Sequence, residues 1–267
     1  MNNNKKKHSF PFFGSCALLI SDKSELLQPE LILKLPYMYS ITLAGTFLLE
    51  KEGIMEIVEN ANKRAFKVVL VTDGSMPDRL LSIASAFPEM AIRIILRGIG
   101  KPGSQTWQKY KDTMILFDRL RDAGSKDIGI SMFVNDGNAE DAVRLYETCT
   151  CNGLKLDVIN TRRGHVSKKA LDALQSIKHK TLRYEGLNGL FEAMHIQNAI
   201  DGKADICDRK NFFIIDQFGY ICRCITAGKL MRIGNLNDEE FEKIWSSKRA
   251  QLIDIECRKS TSKRCGR

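Results

Sequence analysis

The sequence predicts an α/β protein built on a parallel sheet, and three observations carry that expectation. Short apolar runs alternate with amphipathic stretches of helical length from about residue 38 to residue 178. Several of those runs are apolar almost throughout, as strands buried on both faces are. The hydrophobic content is 43% and the charged content 27%, which is ordinary globular composition and argues against wholesale disorder or a fibrous repeat. Successive strand–helix units of this kind need right-handed crossovers, and both an open sheet and a partial barrel accommodate them.

The elements follow in order. "YSITLAG" reads as a strand ending at Gly45. "GIMEIVENANKRAF" places Ile54, Ile57, Val58, Ala61 and Ala65 on one helical face. "KVVLVTDG" is a buried strand, "PDRLLSIASAF" a helix and "AIRIILRG" the next strand. A long helix runs from about Ser104 to Ala123, with Trp107, Tyr110, Met114 and Phe117 on one face and Gly124 as its stop. "IGISMFV" is a strand. Asn138, with Asp141 three residues on, predicts an N-cap for a helix ending near Cys149. "LKLDVI" and "SKKALDALQSI" close the fifth clear pair, and "SCALLI" with "ELLQPELILKL" offers a sixth ahead of them. Beyond residue 180 the pattern changes. "RYEGLNGLFEAMHIQNAI" reads as helical, and "NFFIIDQFGYICRC" as two strands around the turn Asp216-Gln217-Phe218-Gly219. Asn237 and Glu240 suit the start of a helix in "DEEFEKIWSSKRAQLI", with Phe241, Ile244, Trp245 and Lys248 on one face.

Composition bounds the function. No run of about 18 apolar residues predicts a membrane span. Ala17–Ile20 is too short for a signal-peptide core of roughly 7–15 residues, so a cytoplasmic, soluble protein is expected. The net charge of +9 comes partly from both ends, including Lys5, Lys6 and Lys7, and no stripe of basic and aromatic residues points to nucleic acid. The eight cysteines are more telling, because disulfides are disfavoured in a reducing compartment. Cys16 stands alone and reads as a small buried residue. Cys149 and Cys151 read as helix-end packing. Cys207, Cys222, Cys224, Cys257 and Cys265 crowd the C-terminal segment, which has too modest an apolar content to leave a bound metal centre idle. Alternation along a strand would set Cys222 and Cys224 on one side. Four thiolates suit an iron–sulfur cluster, and they equally suit tetrahedral zinc. His8, His165, His179 and His195 show no paired ligand spacing, and "GIGKPGS" does not fit a phosphate loop.

The stretch "CDRKNFFIIDQFGYICRC", then "IGNLNDEEFEKIW", then "ECRKSTSKRC", resembles the auxiliary-cluster tail of radical S-adenosylmethionine (radical SAM) enzymes, of the SPASM or twitch type. Cys207, Gly219, Cys224, Gly234, Asn235, Ile244 and Trp245 follow that family's order. Ser260 stands where a second Cys of a CxxC pair is expected, which implies a single twitch-like cluster. The resemblance implies a partial (β/α)6 TIM-type barrel over residues 15–200, after a flexible basic tail at 1–14. It implies a small cysteine-rich hairpin-and-helix domain at 201–267. The cofactors it implies are a C-terminal 4Fe-4S cluster, with Cys207, Cys224, Cys257 and Cys265 as ligands and Cys222 competing for one place, and S-adenosylmethionine. Gly45 and Thr46, where the family has a Gly-Gly-Glu-Pro motif, and Thr72 and Gly74, in a Thr-Asn-Gly-like turn, are the candidate contacts to it. The implied activity is radical modification of a peptide or small substrate. The family's CxxxCxxC triad is absent, since Ile20 and Lys23 stand four and seven residues after Cys16, and the motif's Glu and Pro are absent as well. The S-adenosylmethionine-cleaving site is therefore expected to be degenerate. The alternatives are a non-catalytic binding protein whose cluster is a structural staple, and a zinc-stapled basic protein that binds nucleic acid.

Overall fold

The computed structural model describes residues 13–20, 28–45, 47–160, 168–185, 212–226 and 229–252. Its organising element is a nine-stranded sheet in the order β6-β5-β4-β3-β2-β1-β7-β8-β9. The strands β1 (Phe13–Leu19), β2 (Met38–Ala44), β3 (Ala65–Thr72), β4 (Ala91–Leu96), β5 (Asp127–Val134) and β6 (Lys155–Asn160) are parallel neighbours. The helices α1 (Ile54–Arg64), α2 (Pro77–Ala86), α3 (Gln105–Asp122), α4 (Ala139–Cys151) and α5 (Lys168–Glu185) alternate with them. The expected α/β fold with six parallel strands is present, and its sheet is not closed, since β6 and β9 are its edges.

Burial alternates along the strands because successive side chains point to opposite faces. Cys16 and Leu18, Ile41 and Leu43, Val68 and Leu70, Ile92 and Ile94, and Ile128 and Ile130 join one core with Ile57, Val58, Ala61, Leu80, Phe117, Leu120 and Leu145 of the helices. Each such side chain contributes about 2 kcal/mol by leaving water. The other face is mixed: it carries Met38 and Ile95 as well as Ser15 and Ser40, whose hydroxyls are 2.7 Å apart, and the buried Ser131.

C-terminal to the helices, β7 (Phe212–Asp216) lies parallel to β1, with Cys16 opposite Phe213. The antiparallel strands β8 (Tyr220–Thr226) and β9 (Lys229–Asn235) continue the sheet, and α6 (Phe241–Trp245) packs back on it. Phe213, Phe241 and Trp245 form one aromatic knot, with ring centroids 5.1–5.4 Å apart. Among the described residues no helix is long and apolar enough to cross a membrane.

Four local expectations are corrected. The first unit carries a short 3-10 turn, Pro29–Lys34, in place of a regular helix, because Pro29 opens it and Pro36 closes off its continuation. Asn138 occupies the N-cap position of α4, as expected, but its side chain bonds no helix amide: the carboxamide accepts from the Asn135 amide and donates to the Arg97 and Phe133 carbonyls. Asn237 does not cap a helix, since Glu240 occupies the N-cap position of α6 and Asn237 donates to the Phe218 carbonyl. The long C-terminal helix divides after Trp245, and a second turn over 248–252 starts afresh on Ser247, whose hydroxyl accepts from the Ala250 amide. By contrast, Ser104 caps α3 through the Trp107 amide, and Gly124 stops that helix at a φ of +93°. Most of "RYEGLNGLFEAMHIQNAI", with the expected domain boundary near residue 200, lies outside the described residues.

Candidate functional site

Ligand sites of parallel α/β sheets lie at the carboxyl ends of the strands. At that end Ala44 stands opposite Val71, so Gly45 and Thr72 are level at the tips of neighbouring strands. The Thr72 hydroxyl is buried and accepts from the Gly74 amide at 3.1 Å, while the Asp73 carboxylate accepts from the Ser75 amide at 2.9 Å. Gly74 has a φ of +72°, which side chains disfavour. These residues therefore hold their own turn together. Gly45 is tied to β1: the Ile20 amide donates to Ala44 at 2.9 Å, and a Cβ on Gly45 would lie 1.9 Å from the Ile20 carbonyl oxygen. Thr46 lies outside the described residues.

The tips of β4 and β5 are stitched by side chains of α4. The Asp141 carboxylate accepts from the Ile99 and Gly100 amides at 3.0 and 3.1 Å and pairs with Arg144. Burial raises the Asp141 carboxyl, but those amides and Arg144 override it, so the group is held below its ordinary value. Between Gly74, Pro77 and the α3 residues Lys109 to Arg119 lies a cleft of about 220 Å³, on the helix side of the sheet.

A charged cluster that sequence reading did not single out crosses β3 to β6. Arg93 is 3% exposed and binds Asp127 and Asp157, each at 2.8 Å, while Lys67 and Lys155 also reach Asp127. Burial pushes the Asp127 carboxyl up, but Arg93 and Lys67 overcome this and hold it at about 2. The one sequence signal was an arginine inside the apolar run "AIRIIL".

Cys16 is fully buried on the core face of β1, opposite Ile41 and Phe213, and burial pushes its thiol far above the ordinary range. It presents no open thiolate at the strand tips. A site-differentiated cluster needs three thiolates, and Cys16 is the only cysteine before Cys149. The residues at this end do not fit that cluster.

The C-terminal end is built differently. Asp216 closes β7, and its carboxylate accepts from the Phe218 and Tyr220 amides at 3.0 Å and from Arg232 at 2.9 Å. The Arg232 guanidinium also stands 4.1 Å from the Tyr220 ring centroid. Gly219 turns the chain at a φ of +80°, and Asn235 and Asn237 both donate to the Phe218 carbonyl. A Cβ on Gly234 would meet Ile244 at 2.7 Å, so the Gly-Asn turn and the Ile-Trp helix are close-packed partners. The glycines, asparagine, isoleucine and tryptophan of the sequence pattern thus act together to clamp hairpin to helix.

Cys222 is fully buried; its thiol lies 3.7 Å from the Tyr220 carbonyl and burial, with Asp216 nearby, raises it to about 12. Cys224 follows on β8, whose ladder to β9 shifts register between Cys222 and Ile225. Cys207, Cys257 and Cys265 lie outside the described residues, and among the described residues no group of metal-ligating side chains converges. Cys149 packs in the core, as expected of a helix-end residue, whereas Cys151 is exposed at the end of α4 and does not pack.

Comparison with known proteins decides the nature of this segment. Residues 207–267 match the family described as SPASM, an iron–sulfur cluster-binding domain. Those residues are similar to that domain, and the sheet with its helices shares the fold of two groups of solved structures. Native anSMEcpe with bound AdoMet superposes with a TM-score of 0.58 at 15% identity, over 89% of this chain and 82% of that one. SuiB of Streptococcus suis bound to S-adenosylmethionine gives 0.61 at 12% identity, over 89% of this chain and 64% of SuiB. SuiB bound to its precursor peptide SuiA gives 0.60, again at 12%, over 89% and 65%. The chain thus spans a little under two thirds of SuiB. At these identities the likeness is one of fold. No curated protein matches the chain.

Proposed function

We propose that this chain is an iron–sulfur protein that engages a peptide on the radical SAM fold, with its cluster in the SPASM segment and a degenerate S-adenosylmethionine-cleaving end. The coincidence of the SPASM match with the cysteine-rich run from Cys207 to Cys265 carries the reading. Cys207, Cys224, Cys257 and Cys265 hold the cluster. Cys222 competes for one place. Soft thiolates suit iron over the harder cations, and four of them complete a 4Fe-4S cluster. Such a cluster supplies a charged, electron-accepting surface next to whatever substrate the segment holds.

What the chain's own residues contribute is support for that segment. Asp216, Arg232 and Asn235 fix the hairpin turn, and the Phe213–Phe241–Trp245 knot fixes α6 against it. A peptide partner is supported by the SuiB structure bound to SuiA. No step is assigned to the front of the sheet, since the residues there do not fit a cluster. S-adenosylmethionine contact by Gly45, Thr46, Thr72 and Gly74 would then be binding without reductive cleavage.

A second reading, a non-catalytic scaffold with a structural iron–sulfur or zinc centre, is favoured by the same observation at Cys16. Two measurements test the proposal. Anaerobic metal and sulfide analysis of the chain beside Cys207→Ala and Cys224→Ala is expected to give iron and sulfide in the parent and little in either variant. Zinc without sulfide would overturn the cluster. Incubation with S-adenosylmethionine and strong reductant is expected to yield no 5′-deoxyadenosine; its formation would overturn the degenerate front.

A further inference from the structure

The cleft along α3 has a lining that packing alone does not account for. Pro77, Ile115 and Leu116 give it apolar walls, with Gly74 beside them. Leu116 is buried, but Ile115 is 62% exposed and forgoes the contribution it would make if covered. Two cations also line the cleft, Lys109 and Arg119, ten residues and so about 15 Å apart along one helix. Their situations differ. The Arg119 guanidinium donates to the Asp78 carboxylate at 3.0 Å. Asp112, three residues after Lys109, is placed to pair with that lysine across one turn. Its carboxylate instead accepts from the Gln108 carboxamide at 2.7 Å. Lys109 is partly buried and has no hydrogen bond or ion pair among the described residues.

Size and charge narrow what would fill the cleft. Its volume of about 220 Å³ is below the roughly 300–1,000 Å³ of sites for cofactors and drug-sized ligands, so it is too small for S-adenosylmethionine or a nucleotide. One uncompensated ammonium balances one negative charge, and the Asp112 carboxylate in the same lining repels a second. A monocarboxylate meets that condition and a phosphate dianion does not. The apolar walls call for an apolar body attached to the carboxylate.

We propose that this cleft binds a carboxylate carried on a short aliphatic or aromatic body, with the carboxylate at Lys109 and the body against Pro77, Ile115 and Leu116. The C-terminal residue of a peptide and a free aryl-alkanoic acid share that chemistry. The cleft has no residue in common with the cysteine-rich segment, so this site stands or falls apart from the cluster.

The test is methyl NMR on the full chain, titrated with 3-phenylpropionate and with the tripeptide Gly-Gly-Phe, each as the free acid and as the amide. The free acids are expected to shift the Ile115 and Leu116 methyl signals with millimolar affinity. The amides are expected to bind about tenfold more weakly, since they lose the charge-assisted bonds to the ammonium. Lys109→Gln is expected to bring the acids down to the level of the amides. Ile115→Ser is expected to weaken acid and amide alike, by about threefold. Tighter binding of the tripeptide acid would identify a peptide terminus as the ligand, and tighter binding of phenylpropionate a free acid; either supports the site. Equal binding of acid and amide, acid binding that survives Lys109→Gln, shifts confined to other methyl groups, or no shift at all would overturn it.

Discussion

Two neighbouring regions of this sheet share one ladder and are built differently. At β1 and β2 the strand tips are packed shut: Cys16 is sealed in the core, and the Ile20 carbonyl sits where any side chain on Gly45 would be. At β7 to β9 the turn, the Gly-Asn corner and the Ile-Trp helix remain fitted to one another, and thiols crowd the surrounding sequence. The difference teaches that packing holds the β1–β2 region: its strands rest on an apolar core, and an internal charge network continues the sheet across β3 to β6. The C-terminal segment is rich in cysteine, and a bound centre stabilises a small segment of that kind.

Variants should separate the two regions. The largest loss of stability is expected from Arg93→Met, which takes from Asp157 its partner and leaves Asp127 with Lys67 and Lys155 alone. On the order of 3 kcal/mol should be lost in urea unfolding, with iron content unchanged. An unchanged midpoint would remove the network from the forces that hold the sheet. Gly45→Ala is expected next, at about 2 kcal/mol, because the backbone must move off the Ile20 carbonyl. Its iron should also be unchanged, and a loss of iron there would join regions that the comparison keeps apart.

The smallest effect is on acid stability. Asp127 is held at about 2, below its ordinary 3.8, so its contribution is fully present above about pH 4 and disappears as the pH falls through 2. Asp127→Asn should flatten that part of the stability profile. A profile of the same shape in the variant would place the acid sensitivity elsewhere.

Much of this was legible in the sequence. The five strand–helix pairs and the hairpin turn at Gly219 follow from periodicity and turn chemistry, which are local. The SPASM pattern was legible because its glycines and asparagine are forced by close packing, as Gly234 against Ile244 shows. What periodicity could not convey were choices made by tertiary partners. The Asn138 side chain, though at the N-cap position of α4, ties two strand tips and not the helix amides, and Asn237 ties a turn, because orphan carbonyls at those ends outbid the helix amides. The Arg93 cluster joins residues far apart in sequence, and only the sheet order brings Asp127 and Asp157 to it. The register shift in β8 likewise depends on β9, so spacing alone could not place it.

The most direct measurement of the central claim is anaerobic iron and acid-labile sulfide per chain in the parent, in Cys16→Ala and in Cys224→Ala. The account predicts one cluster's content, about four irons, in the parent and in Cys16→Ala, with its loss in Cys224→Ala. Two clusters' content in the parent, or loss of iron on replacing Cys16, would contradict it.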